Sequence, residues 1–135
     1  MNADITAAIL GAYPDTQAIY LFGSWGTEDE WPNSDIDIAV LLPPEQAQFV
    51  DFWAWLQLSG HLSTIVYKDV DLLNIRQAST VLQKEVVVAE RRIYTGDSYA
   101  ADEFEMLTLS FYQKLNEERA DILAEFKLTG TAYRV

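Results

Sequence analysis

The chain reads as a mixed α+β domain, and three observations predict it. Stretches with apolar residues at helical spacing alternate with short apolar runs of strand character. One run, Ser34–Leu42, alternates strictly, with Asp35, Asp37 and Ala39 on one face and Ile36, Ile38 and Val40 on the other. Finally, 135 residues with 50% hydrophobic and 13% aromatic content suffice for one core without disulfides or structural metals. Residues 1–135 are therefore expected to form a single domain.

The elements follow in order. A helix is expected over Ala3–Ala12, with Asn2 or Asp4 near its cap and Pro14 beyond its end. Ala18–Phe22 has the character of a short buried strand, and Trp25–Asn33, with Gly26, Pro32 and Asn33, that of a loop. The strand Ser34–Leu42 stops at Pro43-Pro44. Glu45–Leu58 is expected to be a helix ended by Gly60, whose Phe49, Phe52, Trp53 and Leu56 form a core-facing stripe at i, i+3, i+4, i+7. A strand centred on Val70–Leu73 follows. A helix over Ala78–Ala89 comes next, which the β-branched run Val86–Val88 argues should end early. A short strand over Arg92–Tyr94 precedes the Gly96-Asp97 turn. The last element is a helix from Ser98 to about Lys127, its apolar side marked by Phe104, Leu107, Phe111, Leu115, Ile122 and Phe126. The tail LTGTAYRV is expected to be loose.

Charge and composition exclude several function classes. The net charge is −12, and no Lys or Arg precedes Lys68. An acidic surface repels a phosphate backbone, so direct nucleic-acid binding is not expected. The same surface suits divalent cations or a basic partner protein. Cysteine is absent, which excludes disulfides and thiolate metal sites and is compatible with a reducing cytoplasm. The N-terminus lacks the basic and apolar regions of a secretory signal, and no run approaches the roughly 20 apolar residues needed to cross a bilayer.

The chemistry is concentrated between Leu21 and Leu42. Asp35 and Asp37 lie two positions apart on a strand, so their side chains share a face, with Cα atoms about 6.5–7 Å apart. Aspartate is depleted in strands, and a buried unpaired carboxylate is costly or stays protonated. Cation binding removes the difficulty, and an oxygen-only set without His or Cys favours Mg²⁺ or Mn²⁺ over Zn²⁺. A third acid is expected from a neighbouring strand. Asp69 and Asp71 share a face there, and Asp71, flanked by Val70 and Leu72, sits deeper. Gly23-Ser24 directly follows the first strand. Such a turn brings backbone N–H groups and a hydroxyl close to phosphate. Two cations, a triphosphate and three acids suit nucleotidyl transfer, with Asp71 placed to take or orient the hydroxyl proton. Lys84, Arg91 and Arg92 are basic residues within possible reach of phosphate, and none stands out by sequence. His61 is expected to be a surface or loop residue.

These residues carry a resemblance. Gly23-Ser24, a ten-residue spacer, Asp35-Ile36-Asp37 and a later Asp71 resemble the minimal nucleotidyltransferases, most closely the MntA-like antitoxins of HEPN–MNT toxin–antitoxin pairs. The resemblance covers Tyr20–Asp71 well and the rest only in layout. It implies a polymerase-β-like nucleotidyltransferase core, a small mixed sheet with helices packed on one side, and a long C-terminal helix. It further implies an Mg²⁺-dependent antitoxin that moves AMP from ATP onto a tyrosine hydroxyl of a HEPN ribonuclease toxin. By carry-over, Gly23 and Ser24 hold ATP phosphates, Asp35 and Asp37 bind the metals, and Asp71 completes the site. Two other functions compete. A binding-only antitoxin neutralises its partner without ATP. A small-molecule nucleotidyltransferase needs more chain to enclose its acceptor.

Overall fold

The computed structural model describes residues 1–28, 30 and 35–129. The expected loop residues Asp29 and 31–34, and the tail from 130, lie outside the described residues. The elements run α1 (Asn2–Ala12), β1 (Ala18–Phe22), β2 (Ile36–Leu41), α2 (Pro44–Gln48), α3 (Phe52–Val66), β3 (Val70–Asn74), a 3₁₀ turn (Ile75–Gln77), α4 (Thr80–Val88), β4 (Arg92–Thr95) and α5 (Ser98–Thr129). Among the described residues no helix is long and apolar enough to cross a membrane.

The four strands form one mixed sheet in the order β3-β2-β1-β4. β1 pairs antiparallel with β2 and with β4, whereas β2 and β3 run parallel. A parallel pair cannot be joined by a hairpin, so α2 and α3 make the crossover between them.

The alternation of β1 and β2 sends apolar side chains to both faces. On one face, Ile19, Leu21, Ile36, Ile38 and Val40 pack with Ile5 and Ile9 of α1 and Leu58, Leu62 and Val66 of α3. On the other, Ala18, Tyr20, Phe22, Ala39 and Leu41 pack with Val86 and Val87 of α4 and Ala101 and Phe104 of α5. The mixed α+β class and the mixed sheet are as expected. The layering is not: helices cover both faces rather than one. The cause lies in β1, whose five residues are all buried, which a strand open on one side does not allow.

The region after β2 departs most from the expected pattern. A single helix over Glu45–Leu58 is replaced by two. Asp51 breaks them apart by capping α3, its carboxylate accepting from the Ala54 N–H at 2.9 Å. The new start resets the helical phase. Trp55, Leu58, Leu62 and Val66 face inward, while Phe49 (83% exposed), Phe52, Trp53 (72%) and Leu56 stand outward. The stripe expected in the core is therefore a surface feature. Gly60 does not end the helix, which runs to Val66 and closes on Tyr67 in the left-handed region at φ 58°.

The α3 helix also protects the outer edge of β3. Trp55 Nε1 donates to the Leu72 carbonyl at 2.9 Å, and Ser59 Oγ donates to the Val70 carbonyl at 2.9 Å. The Val70 N–H in turn donates to Ser63 Oγ at 3.1 Å. Side chains thus satisfy backbone groups that an open edge would expose to another chain. Trp55→Phe removes one of these bonds while keeping most of the ring. The expected loss is about 1 kcal/mol, or about 3 to 6 °C in Tm, read by thermal unfolding. An unchanged Tm would mean that the indole N–H contributes nothing to the edge.

The remaining helices differ in extent. Val86 and Val87 do not stop α4. They are buried in the second core, where their shape packs against the sheet. Ser79 caps its start, accepting from the Leu82 N–H. Asp97 accepts from the Ala100 N–H at the start of α5. Only the first third of α5 packs fully: Ala101, Phe104 and Thr108 are buried, while Leu107, Phe111, Ile122 and Phe126 of the expected apolar side are exposed. Its anchor is polar as well. Arg92 donates to Asp102 and Glu105, and the buried Tyr20 hydroxyl donates to Glu105 at 2.9 Å.

Candidate nucleotidyl-transfer site

Three backbone segments meet at one end of the sheet: the exit of β1 and the entries of β2 and β3. The register sets Phe22 opposite Asp37, and Asp37 beside Asp71 on the adjacent parallel strand. The Ile36 N–H donates to the Asp69 carbonyl at 2.9 Å, which extends the parallel ladder to the strand entries. Neighbouring strands lie about 4.8 Å apart, so the two aspartates are side by side on one face. Asp35 stands immediately before β2 and is exposed, as is Asp71.

The cluster is visible in its electrostatics. Burial first, then the carboxylates of Asp71 and Asp35, pushes the Asp37 carboxyl above the ordinary carboxylate range. Like charges gathered at the end of a sheet repel one another. Only a cation or protonation relieves them. Among the described residues no group of three or more His, Cys, Asp or Glu is already arranged to hold a metal ion. The donor set nevertheless fits one chemically: the oxygens are hard, and Asp35 and Asp71 are exposed side chains that can turn toward Asp37.

The Gly23-Ser24 turn lies against this cluster. Gly23 has φ +74°, and a Cβ added to it would collide with the Asp37 carboxylate. The position thus requires glycine on two counts, conformation and close approach. Three residues on, Gly26 has φ +77°. Between them Trp25 packs against the first core, and the Thr27 N–H and hydroxyl both donate to the Ser24 carbonyl. The turn is therefore held from both sides. Phe22 fixes it in one core and Trp25 in the other. The Gly26 N–H donates to Glu30 Oε1 at 3.1 Å, and Lys68 lies 3.9 Å from the same oxygen.

The basic residues are distinguished here as the sequence could not. Arg92 is committed to Asp102 and Glu105, and Lys84 to Glu85. Arg91 instead leans over the turn. Its Nη1 lies 3.5 Å from the Gly23 carbonyl, and its Nη2 lies 2.9 Å from where a Gly26 Cβ would stand. No sequence signal marks it. Its place comes from Glu90, which takes φ 54° after α4, and from the Leu21 N–H, which donates to the Arg91 carbonyl at 2.9 Å. His61 is exposed on α3.

A glycine-serine turn, aspartates on paired strands and a mixed sheet with helices on both faces define a recognisable architecture. The Polymerase beta, Nucleotidyltransferase family matches residues 6–99. The chain belongs to that family. Protein adenylyltransferase MntA of Shewanella oneidensis is 40% identical over 110 residues, covering 82% of this chain and 76% of that protein. A toxin–antitoxin complex solved with AMP-PNP has a chain that superposes with a TM-score of 0.77 at 35% identity, covering 93% of this chain and 98% of the other. A complex of tri-AMPylated Shewanella oneidensis HEPN toxin with its MNT antitoxin gives a TM-score of 0.73 at 34% identity, covering 93% and 95%. The family match ends at residue 99, so it takes in the whole sheet and the candidate site but almost none of α5.

Proposed function

We propose that this chain is an antitoxin that transfers AMP from ATP to a tyrosine hydroxyl of a cognate HEPN-type toxin, in the cytoplasm, with the whole chain acting as one minimal nucleotidyltransferase domain. The observation that carries the reading is the pairing of Asp37 with Asp71, beside Asp35 and against the Gly23-Ser24 turn. The relatives whose names include protein adenylyltransferase, toxin–antitoxin and AMP-PNP support the donor and the acceptor.

In this reading Gly23 and Ser24 seat the triphosphate through a backbone brought close by the absence of a Cβ. Asp35, Asp37 and Asp71 supply the oxygens for Mg²⁺, or Mn²⁺ in its place. When bound, such ions neutralise the phosphates and lower the pKa of the attacking hydroxyl. The toxin's tyrosine oxygen forms a bond to the α-phosphorus as the bond from that phosphorus to the β-phosphate bridging oxygen breaks. Pyrophosphate leaves with the electron pair. A carboxylate oxygen of Asp71, an exposed residue, takes or orients the hydroxyl proton.

Intact-mass measurement of the purified partner tests the proposal. Incubation with this chain, ATP and Mg²⁺ is expected to add one or more AMP units to the partner, with no addition when ATP is omitted. Neutralisation with no mass change would replace the enzyme by a binding-only antitoxin.

A further inference from the structure

We infer that Arg91 is a phosphate-binding residue of this site, holding the β- and γ-phosphates of the nucleotide at the Gly23–Gly26 turn. The inference rests on the nucleotidyl-transfer reading above and adds to it a residue that no motif marks.

Groups of opposite charge approach the turn. The Asp37 carboxylate abuts the Gly23 Cα closely enough to exclude a Cβ. The Arg91 guanidinium reaches the Gly23 carbonyl with Nη1 and stands beside Gly26 with Nη2. A second glycine is thus used for close approach, this time by a cation. Both groups are set by backbone pairing. The Leu21 N–H bonds to the Arg91 carbonyl, and Asp37 is set in register with Phe22. Arg91 also has no carboxylate partner among the described residues, although the chain carries 21 acids and nine Lys and Arg. Its neighbour Arg92 is fully engaged.

The division of charge matches the chemistry. Transfer breaks the bond between the α- and β-phosphates, so negative charge grows on the departing pyrophosphate. The aspartates are the wrong groups to face it directly. A guanidinium presents paired N–H donors that fit phosphate oxygens, and these bonds are stronger than neutral ones. Arg91, rather than any lysine of the chain, supplies that fork at the turn.

Purified full-length parent and Arg91→Gln are compared for binding of AMP-PNP, ADP and AMP in the presence of Mg²⁺. The variant is expected to lose about tenfold or more in affinity for AMP-PNP, less for ADP and nothing for AMP. Arg91→Lys should recover part of the loss. A merely structural role would weaken all three nucleotides alike, and that pattern would overturn the inference, as would equal AMP-PNP binding by a folded variant. If Arg91→Gln does not fold, the parent itself decides. Phenylglyoxal modification of Arg91, followed by peptide mass mapping, should be slowed by AMP-PNP with Mg²⁺ and not by AMP; no slowing overturns the proposal. A parent that binds no AMP-PNP at all defeats the nucleotidyl-transfer reading instead. A parent that binds it with Arg91 indifferent defeats only this inference.

Discussion

Asp37→Asn is expected to lower AMP transfer by at least about a thousandfold, equivalent to losing several kcal/mol of cation-borne stabilisation, and yet to raise the Tm of the cation-free protein. The two effects have one cause. Burial and the charges of Asp71 and Asp35 make the neutral acid the form that the fold prefers at position 37. Because the folded value is raised, the associated stability is fully present below the unfolded value of about 4 and is lost as pH rises through the folded one. Above the folded value the parent has lost it. Asparagine keeps the shape and stays uncharged. The cation-free variant should therefore melt above the parent by roughly 1 to 3 °C, a small gain because the group is partly open to solvent and screened. The gain should shrink toward about pH 4. Excess Mg²⁺ should reverse the order, since binding stabilises the parent by mass action and the variant far less. Thermal melts across pH, with and without Mg²⁺, and single-turnover transfer read all of this. A variant that melts below the cation-free parent would show that the acids do not repel one another, and one that transfers at the parent rate would remove Asp37 from the reaction.

The parts of the fold legible in the sequence are those where pattern and chemistry coincide. Ala18–Phe22 was readable because the run is apolar throughout and ends at a Gly-Ser turn. The alternation of Ile36, Ile38 and Val40 against Asp37 and Ala39 fixed both the strand and its faces. The β2 entry was legible for the same reason, because acids in an apolar strand have few structural uses. Phase was not legible after Pro44. Four large apolar residues at helical spacing fit a core stripe, but a single capping bond from Asp51 to the Ala54 N–H starts a new helix and turns that stripe outward. Nor did periodicity show that α5 outruns its support, since Phe111 and Ile122 follow the same rhythm as the buried Phe104. Arg91 was invisible for a third reason. Its position depends on a left-handed residue at Glu90 and on pairing with β1, both products of tertiary structure.

Gly23→Ala is expected to damage stability and transfer together. Left-handed backbone costs an L-residue about 1–2 kcal/mol, so φ +74° already predicts a loss of several degrees in Tm. The added Cβ also collides with the Asp37 carboxylate, which must swing away from Asp71 and from the phosphate seat. A displacement of about 1 Å at a reacting centre can cost about 100-fold, and that is the expected fall in transfer rate. Gly26→Ala separates the two causes. It carries nearly the same strain, at φ +77°, but its Cβ meets only the mobile end of Arg91, 2.9 Å away. The two variants should lose similar stability in urea or thermal unfolding. Gly23→Ala alone should combine that loss with poor use of saturating ATP, because it moves an acid at the reacting phosphorus. Gly26→Ala should instead raise the ATP concentration required, because it moves the cation proposed to grip the far phosphates. Equal kinetic damage of one kind in both would mean that the turn acts only as a rigid hinge. The contrast would then assign no separate role to acid and guanidinium.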